Sequence, residues 1–250
     1  MQVVLLRTIA AASLLLLTAS ASHAVVLDWT AVTWTAGTTA SGSNSYNVDG
    51  VAGNDITVAY TNSGATFSSV PSIAAVNGTT DLRFALSSMN STANSVTVTI
   101  TFTGTAYAGG VFADFTLNDV DANLASGGFQ DKVSISALNA GNPVALTVTN
   151  SGGTSVNTVS GSGTTAPSAL GNTATSTNPE GDVTINSGGN GVTSITFVWN
   201  NPSTFFGTQI IGLNNITFTA VPEVASSSAA LSLCGGLLAF RRRRSQRAAA

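Results

Sequence analysis

The 250-residue chain has almost none of the side chains that carry enzymatic or metal chemistry. It holds one histidine, His23, and one cysteine, Cys234. The first falls in a predicted leader and the second in a predicted tail. A mature body without either contains no Ser-His-Asp or Cys-His nucleophile system, no zinc site built on nitrogen and sulfur, and no disulfide. Charge is scarce as well, at 8% of residues. Between residues 25 and 220 ten acids face only Arg83 and Lys132, a net charge of −8 that the whole-chain value of −3 conceals. Such a surface repels phosphate backbones and excludes nucleic acid as a partner, while cations remain open. The body also shows no helical stripe of apolar residues and no fixed-period repeat.

What is present begins at the two ends. Arg7, an apolar stretch from Ile9 to Leu17 and small residues through Ala24 read as a secretory signal peptide over residues 1–24. The cut is expected before Val25, with cleavage after Ala21 the alternative. At the other end Val221, Pro222 and Glu223 precede an uncharged run from Val224 to Phe240, closed by Arg241, Arg242, Arg243 and Arg244. That run makes a helix of roughly 26 Å, just able to span a hydrocarbon core about 30 Å thick. The arginines hold the C-terminal side, including residues 245–250, in the cytoplasm.

Pro222 and Glu223, the apolar run and the arginine cluster together resemble the PEP-CTERM sorting signal of Gram-negative bacteria. Val224 stands where that pattern has its second proline. The resemblance covers residues 221–244. It implies passage through the export translocon, transient anchoring in the inner membrane, removal of the tail by an exosortase-type membrane protease, and delivery to the cell surface or extracellular matrix. An anchor that is never cut is the alternative.

The intervening body, residues 25–220, reads as strand after strand. From Ser95 to Thr103, Val96, Val98, Ile100 and Phe102 alternate with threonines, burying one face and wetting the other. Similar alternation returns at Val133 to Ala137, Val183 to Ile185, Ile195 to Trp199 and Ile216 to Phe218. Further strands are expected over Val25–Trp29, Ile56–Thr61, Asp81–Leu86, Val111–Leu117 and Val144–Thr149. Segments rich in Gly, Ser, Asn and Thr read as loops: Ala36–Ser45, Asn150–Gly163 and Ser187–Gly191. About ten strands with polar turns predict an all-β, two-sheet antiparallel sandwich of jelly-roll-like winding.

Within the body, Asp114, Asn118, Asp119, Asp121, Asn123 and Asp131 crowd into eighteen residues. Asp119, Asp121, Asn123 and Asp131 are candidate Ca²⁺ ligands, because hard cations take clustered oxygens. Leu124 and Gln130 stand where an EF-hand needs glycine and glutamate. The alternative is a solvated acidic turn satisfying backbone amides. No cofactor is required on this reading.

Phe112–Val133 and Val192–Phe218, through Asp119–Asp121 and Gly212–Ile216, look like sandwich modules of bacterial matrix and adhesin-like proteins. That likeness implies a structural or adhesive role without an enzymatic one. Carbohydrate binding is the rival, with Trp34 and Tyr46 flanking a flexible loop as candidate contacts to extracellular polysaccharide. A glycoside hydrolase built on Asp119 and Asp121, two residues apart on one strand face, is a further alternative.

Overall fold

The computed structural model describes residues 23–35, 37–151, 156–174, 179–203 and 206–222, and all of these but Pro222 fall in one compact unit, Ser22–Val221. The predicted leader up to Ser22, and the tail from Glu223 through Arg241–Arg244, lie outside the described residues. Among those described, no helix is long and apolar enough to cross a membrane. Pro222 is exposed, two residues beyond the last strand.

Nineteen strands succeed one another along the described chain. The first seven are β1 (Ala24–Leu27), β2 (Ser41–Tyr46), β3 (Ile56–Ser63), β4 (Thr66–Phe67), β5 (Ser72–Val76), β6 (Thr79–Ser88) and β7 (Ser95–Phe102). A single 3-10 turn, Thr105–Tyr107, leads to β8 (Val111–Asn118), β9 (Ala122–Asn123), β10 (Phe129–Gln130), β11 (Lys132–Asn139) and β12 (Asn142–Val144). The rest are β13 (Thr147–Asn150), β14 (Asn157–Ser160), β15 (Ser168–Gly171), β16 (Val183–Asn186), β17 (Ser194–Asn200), β18 (Gln209–Leu213) and β19 (Ile216–Ala220). Nineteen rather than about ten arise because long extended stretches break into pieces and because segments read as loops also pair. The clearest correction is β2, whose sequence SGSNSY lacks any apolar alternation yet pairs residue for residue with β3.

All pairings are antiparallel and sort into a nine-stranded sheet, an eight-stranded sheet and the small β9–β10 ribbon. In the eight-stranded sheet the order is β14-β15-β11-β17-β7-β3-β2, with β12 beside β11. In the nine-stranded sheet β8 is central: β16 lies on one side, while β18 and then β19 lie end to end on the other. Late strands are thus inserted between early ones, β17 between β7 and β11, β18 between β6 and β8. The eight-stranded sheet is complete only when β17 (Ser194–Asn200) arrives and the nine-stranded sheet only when β19 (Ile216–Ala220) does, so long loops must close first and folding is expected to be slow.

The core follows from strand alternation. Val96, Val98, Ile100 and Phe102 of β7 and Ile195, Phe197 and Trp199 of β17 point inward, against Phe84, Phe115, Leu117 and Phe218 of the other sheet. Rings join the layers: Phe102 and Phe218 lie 5.0 Å apart between centroids, and Tyr60 meets Phe84 edge-on at 5.7 Å. This is a face-to-face sandwich. Many outward residues of the eight-stranded sheet are hydroxyls, including Thr57, Thr97, Thr99, Thr101, Ser194 and Thr196, with Ala59, Leu138 and Val198 among them. Two pairs touch across strands, Thr99 with Thr196 at 3.1 Å and Ser45 with Thr57 at 2.7 Å. At one corner of the nine-stranded sheet the first and last strands run side by side, with Ala24 opposite Thr219 and Leu27 opposite Ile216.

Candidate functional site

Two regions hold the residues singled out in the sequence: the acid-rich connection after β8, and a groove beside the segment that follows β1. The acidic connection starts at Asp119, which has a left-handed backbone (φ 69°) that turns the chain out of β8. Asp119 and Asp121 therefore lie in a connection rather than on a strand, and period-two alternation does not set their spacing. Asn77, in the turn between β5 and β6, donates to Asp119 Oδ1 at 2.9 Å. Burial raises the Asp119 carboxyl and the Asn77 amide opposes the shift.

Asp131 is completely buried. The indole N–H of Trp199 donates to its Oδ1 at 2.8 Å, and the backbone N–H of Asp121 donates to its Oδ2 at 3.3 Å. The Asp131 N–H returns to the Asp121 carbonyl at 2.9 Å. Burial holds the Asp131 carboxyl well above the usual carboxylate range; the Asp121 carboxylate pushes the same way and the Trp199 N–H pulls it back. Gly171 closes the arrangement from β15, donating its N–H to the Asp131 carbonyl at 2.8 Å. A Cβ at Gly171 would stand 1.9 Å from the Asp121 carbonyl oxygen, so no other residue fits there.

Of the four candidate calcium ligands, the fold brings Asp121 and Asp131 together, with Asp119 close enough to raise Asp131 further. It leaves Asn123 exposed, its Oδ1 accepting the Ala125 N–H at 3.2 Å in a local turn. Among the described residues no three Asp, Glu, His or Cys side chains form a group able to hold a metal.

The groove, of about 590 Å³, is lined by Trp29, Thr33, Trp34, Ser72, Ile73 and Thr80 together with Thr30 and Val32. None of these residues titrates. Trp34 is half-buried, 6.1 Å from Tyr60 between ring centroids, and its indole N–H has no acceptor in the protein. Tyr46, the other candidate sugar contact, is a core residue instead. Its ring meets Trp29 edge-on at 6.0 Å and its hydroxyl donates to the Thr33 carbonyl at 3.4 Å. Burial pushes that hydroxyl up to about 12. The pairing of β2 turns Tyr46 inward, which a segment without apolar alternation could not signal. A second groove, about 600 Å³, lies where β1 and Ala220 meet Val48, Asp49 and Tyr107. Neither groove is lined by Asp119, Asp121 or Asp131.

No protein-family model matches the chain, and no curated protein does. Among solved structures, the N-terminal domain of a Streptococcus gordonii adhesin aligns with a TM-score of 0.38 and 14% identity, over 69% of this chain and 47% of that one. A carbohydrate-binding module that recognises mannan aligns at 0.35 and 11% identity, over 65% and 88%. The family 11 carbohydrate-binding module from Clostridium thermocellum, solved with a mixed-linked tetrasaccharide, aligns at 0.29 and 12%, over 82% and 100%. Scores this low carry no argument about ligand or activity here.

Proposed function

We propose that the body is a non-catalytic, exported β-sandwich with a structural or adhesive role at the cell surface or in the extracellular matrix. The Trp34 groove carries this reading: it presents an indole, aliphatic side chains and Thr and Ser hydroxyls, with no acid or base to perform chemistry. The buried carboxylates, by contrast, accept hydrogen bonds inside the fold and line neither groove. A ring edged by hydroxyls suits the mixed apolar and polar face of a sugar, which makes extracellular polysaccharide the favoured partner and a carbohydrate-binding module the second reading.

Binding of the full chain to a glycan array and to insoluble polysaccharides tests the groove. Saturable binding that falls at least tenfold in Trp34→Ala is the expected result. Binding unaffected by that change removes the groove from the proposal, and release of reducing sugar from a bound glycan removes its non-catalytic character.

The route to the surface is part of the same reading. The leader over residues 1–24 directs export, and the segment 221–244 is recognised and cut by an exosortase-type protease. Support comes from Pro222, Glu223, the uncharged run and Arg241–Arg244 in the sequence. The mass of the mature protein from cells with and without the protease decides it: a C-terminus upstream of Val224 in the first and an intact arginine tail in the second is expected, and identical masses reject it.

A further inference from the structure

A second polar cluster lies just beyond the acidic connection, where the start of β6, the end of β8 and the segment leading into β16 meet. Its members are Thr79, Asp81, Asn118 and Asp182. Asp81, Asn118 and Asp182 are at most 4% exposed. Asn118 Nδ2 donates to Asp81 Oδ2 at 2.8 Å and to Thr79 Oγ1 at 2.7 Å. Thr79 Oγ1 lies 2.8 Å from the Val76 carbonyl and 3.0 Å from Asp81 Oδ2, with one proton to give. The Asp182 carboxylate accepts the backbone N–H of Asp119, the residue after Asn118, and feels the charges of Asp81 and Asp119. Gly212, opposite Asn118 in β18, makes room: a Cβ there would sit 2.3 Å from Asp81 Oδ2.

Three oxygens of this cluster are left over. Asp81 Oδ1, Asn118 Oδ1 and Asp182 Oδ1 are all buried and have no donor. Each buried acceptor without a partner costs stability, and more when it carries charge. Three of them in one corner, two on carboxylates, make an arrangement that hydrogen bonds within the protein do not complete. The missing component is electron-poor, and what fits oxygen acceptors of mixed charge is a hard cation.

We infer that this corner is a Ca²⁺ site, with Asp81, Asn118 and Asp182 contributing their free Oδ1 atoms and water completing the shell. Two carboxylates and an amide oxygen are a typical partial set for Ca²⁺, which tolerates irregular geometry, whereas Mg²⁺ demands a near-ideal octahedron. The set differs from the one expected in the sequence: it draws on Asp81 from β6 and Asp182 before β16, and leaves out Asp121, Asn123 and Asp131. It does not depend on the adhesive reading, since the ion would hold three strand ends together whatever the groove binds.

The test is a thermal melt of the purified full chain in chelator, with CaCl₂ or MgCl₂ then added in steps, beside a calorimetric Ca²⁺ titration. The midpoint is expected to rise by several degrees, half the rise falling between about 0.1 and 1 mM Ca²⁺, as in extracellular modules, with Mg²⁺ much weaker. Asp182→Asn should abolish the rise and the heat of binding, while Asp121→Asn in the neighbouring loop keeps both. Asp81→Asn is expected to match Asp182→Asn, and if it fails to fold Asp182→Asn alone decides. Absence of a calcium effect on the unmodified chain overturns the inference, as does an effect that survives Asp182→Asn or disappears in Asp121→Asn.

Discussion

The outward face of the eight-stranded sheet and the acidic connection after β8 are both rich in polar residues, and they put polarity to opposite uses. On the sheet face, Thr97, Thr99, Thr101 and Thr196 keep their hydroxyls at the water interface, where little depends on any one of them. In the connection, Asp119, Asp121 and Asp131 are withdrawn from solvent, and Asp119 and Asp131 have identified donors. A polar residue on a strand is placed by its parity. A polar residue in a connection is placed by whichever distant donor the fold delivers.

The contrast breaks most visibly at two adjacent residues of β7. Val98 is fully buried between Tyr60 and Phe197 in the ladder, and Thr99 points outward. Val98→Asp should abolish the cooperative melt, because an unpaired charge in the core costs several kcal/mol. Thr99→Asp should leave the melt within about 1 kcal/mol of the parent. A comparable loss in both would mean that the hydroxyl face is covered. Next in size is Asp131→Ala, which strands the Trp199 indole N–H and the Asp121 N–H; denaturant unfolding should show a loss of about 2–5 kcal/mol, with Asp131→Asn losing less because one acceptor remains.

A smaller effect concerns pH. Asp131 holds its proton well above the ordinary value of 3.8, so between that value and its folded one the native state binds the proton that the unfolded chain has released. Stability from this group is therefore full below pH 3.8 and lost as pH rises through the folded value. In chelator, the unfolding midpoint of the parent should be higher at pH 5 than at pH 7.5, and Asp131→Asn should narrow the gap. The smallest change is expected from Thr196→Ala. It removes the hydroxyl contact with Thr99 and should shift stability by no more than about 0.5 kcal/mol.

The parity of strands is also what made part of this molecule readable in advance. Val96 to Phe102 and Ile195 to Trp199 declare their inward faces in the order of residues alone, because the side-chain period of a strand is two whatever its partners are. The same rule does not reach Tyr46: nothing apolar alternates in β2, and its inward direction is imposed by the register with β3. Nor does it reach Asp131, whose donor Trp199 lies 68 residues away and arrives only when β17 slots beside β11. Period two would put Asp119 and Asp121 on a common face only if a strand ran through them; the chain leaves β8 at Asn118 and turns at Asp119. Trp34, singled out as a candidate glycan contact, lines a groove beside the segment that follows β1.

The pairing of Ala24 with Thr219 sets how the body can be strung into a longer architecture. Chain arriving before β1 and chain leaving after β19 meet at a single corner, so the sandwich can be inserted in a loop of another protein, or duplicated in tandem, without stretching its host. Closing that corner with a short linker and opening the chain at the exposed turn residues Gly188 to Asn190 gives a circular permutant with the same ladders.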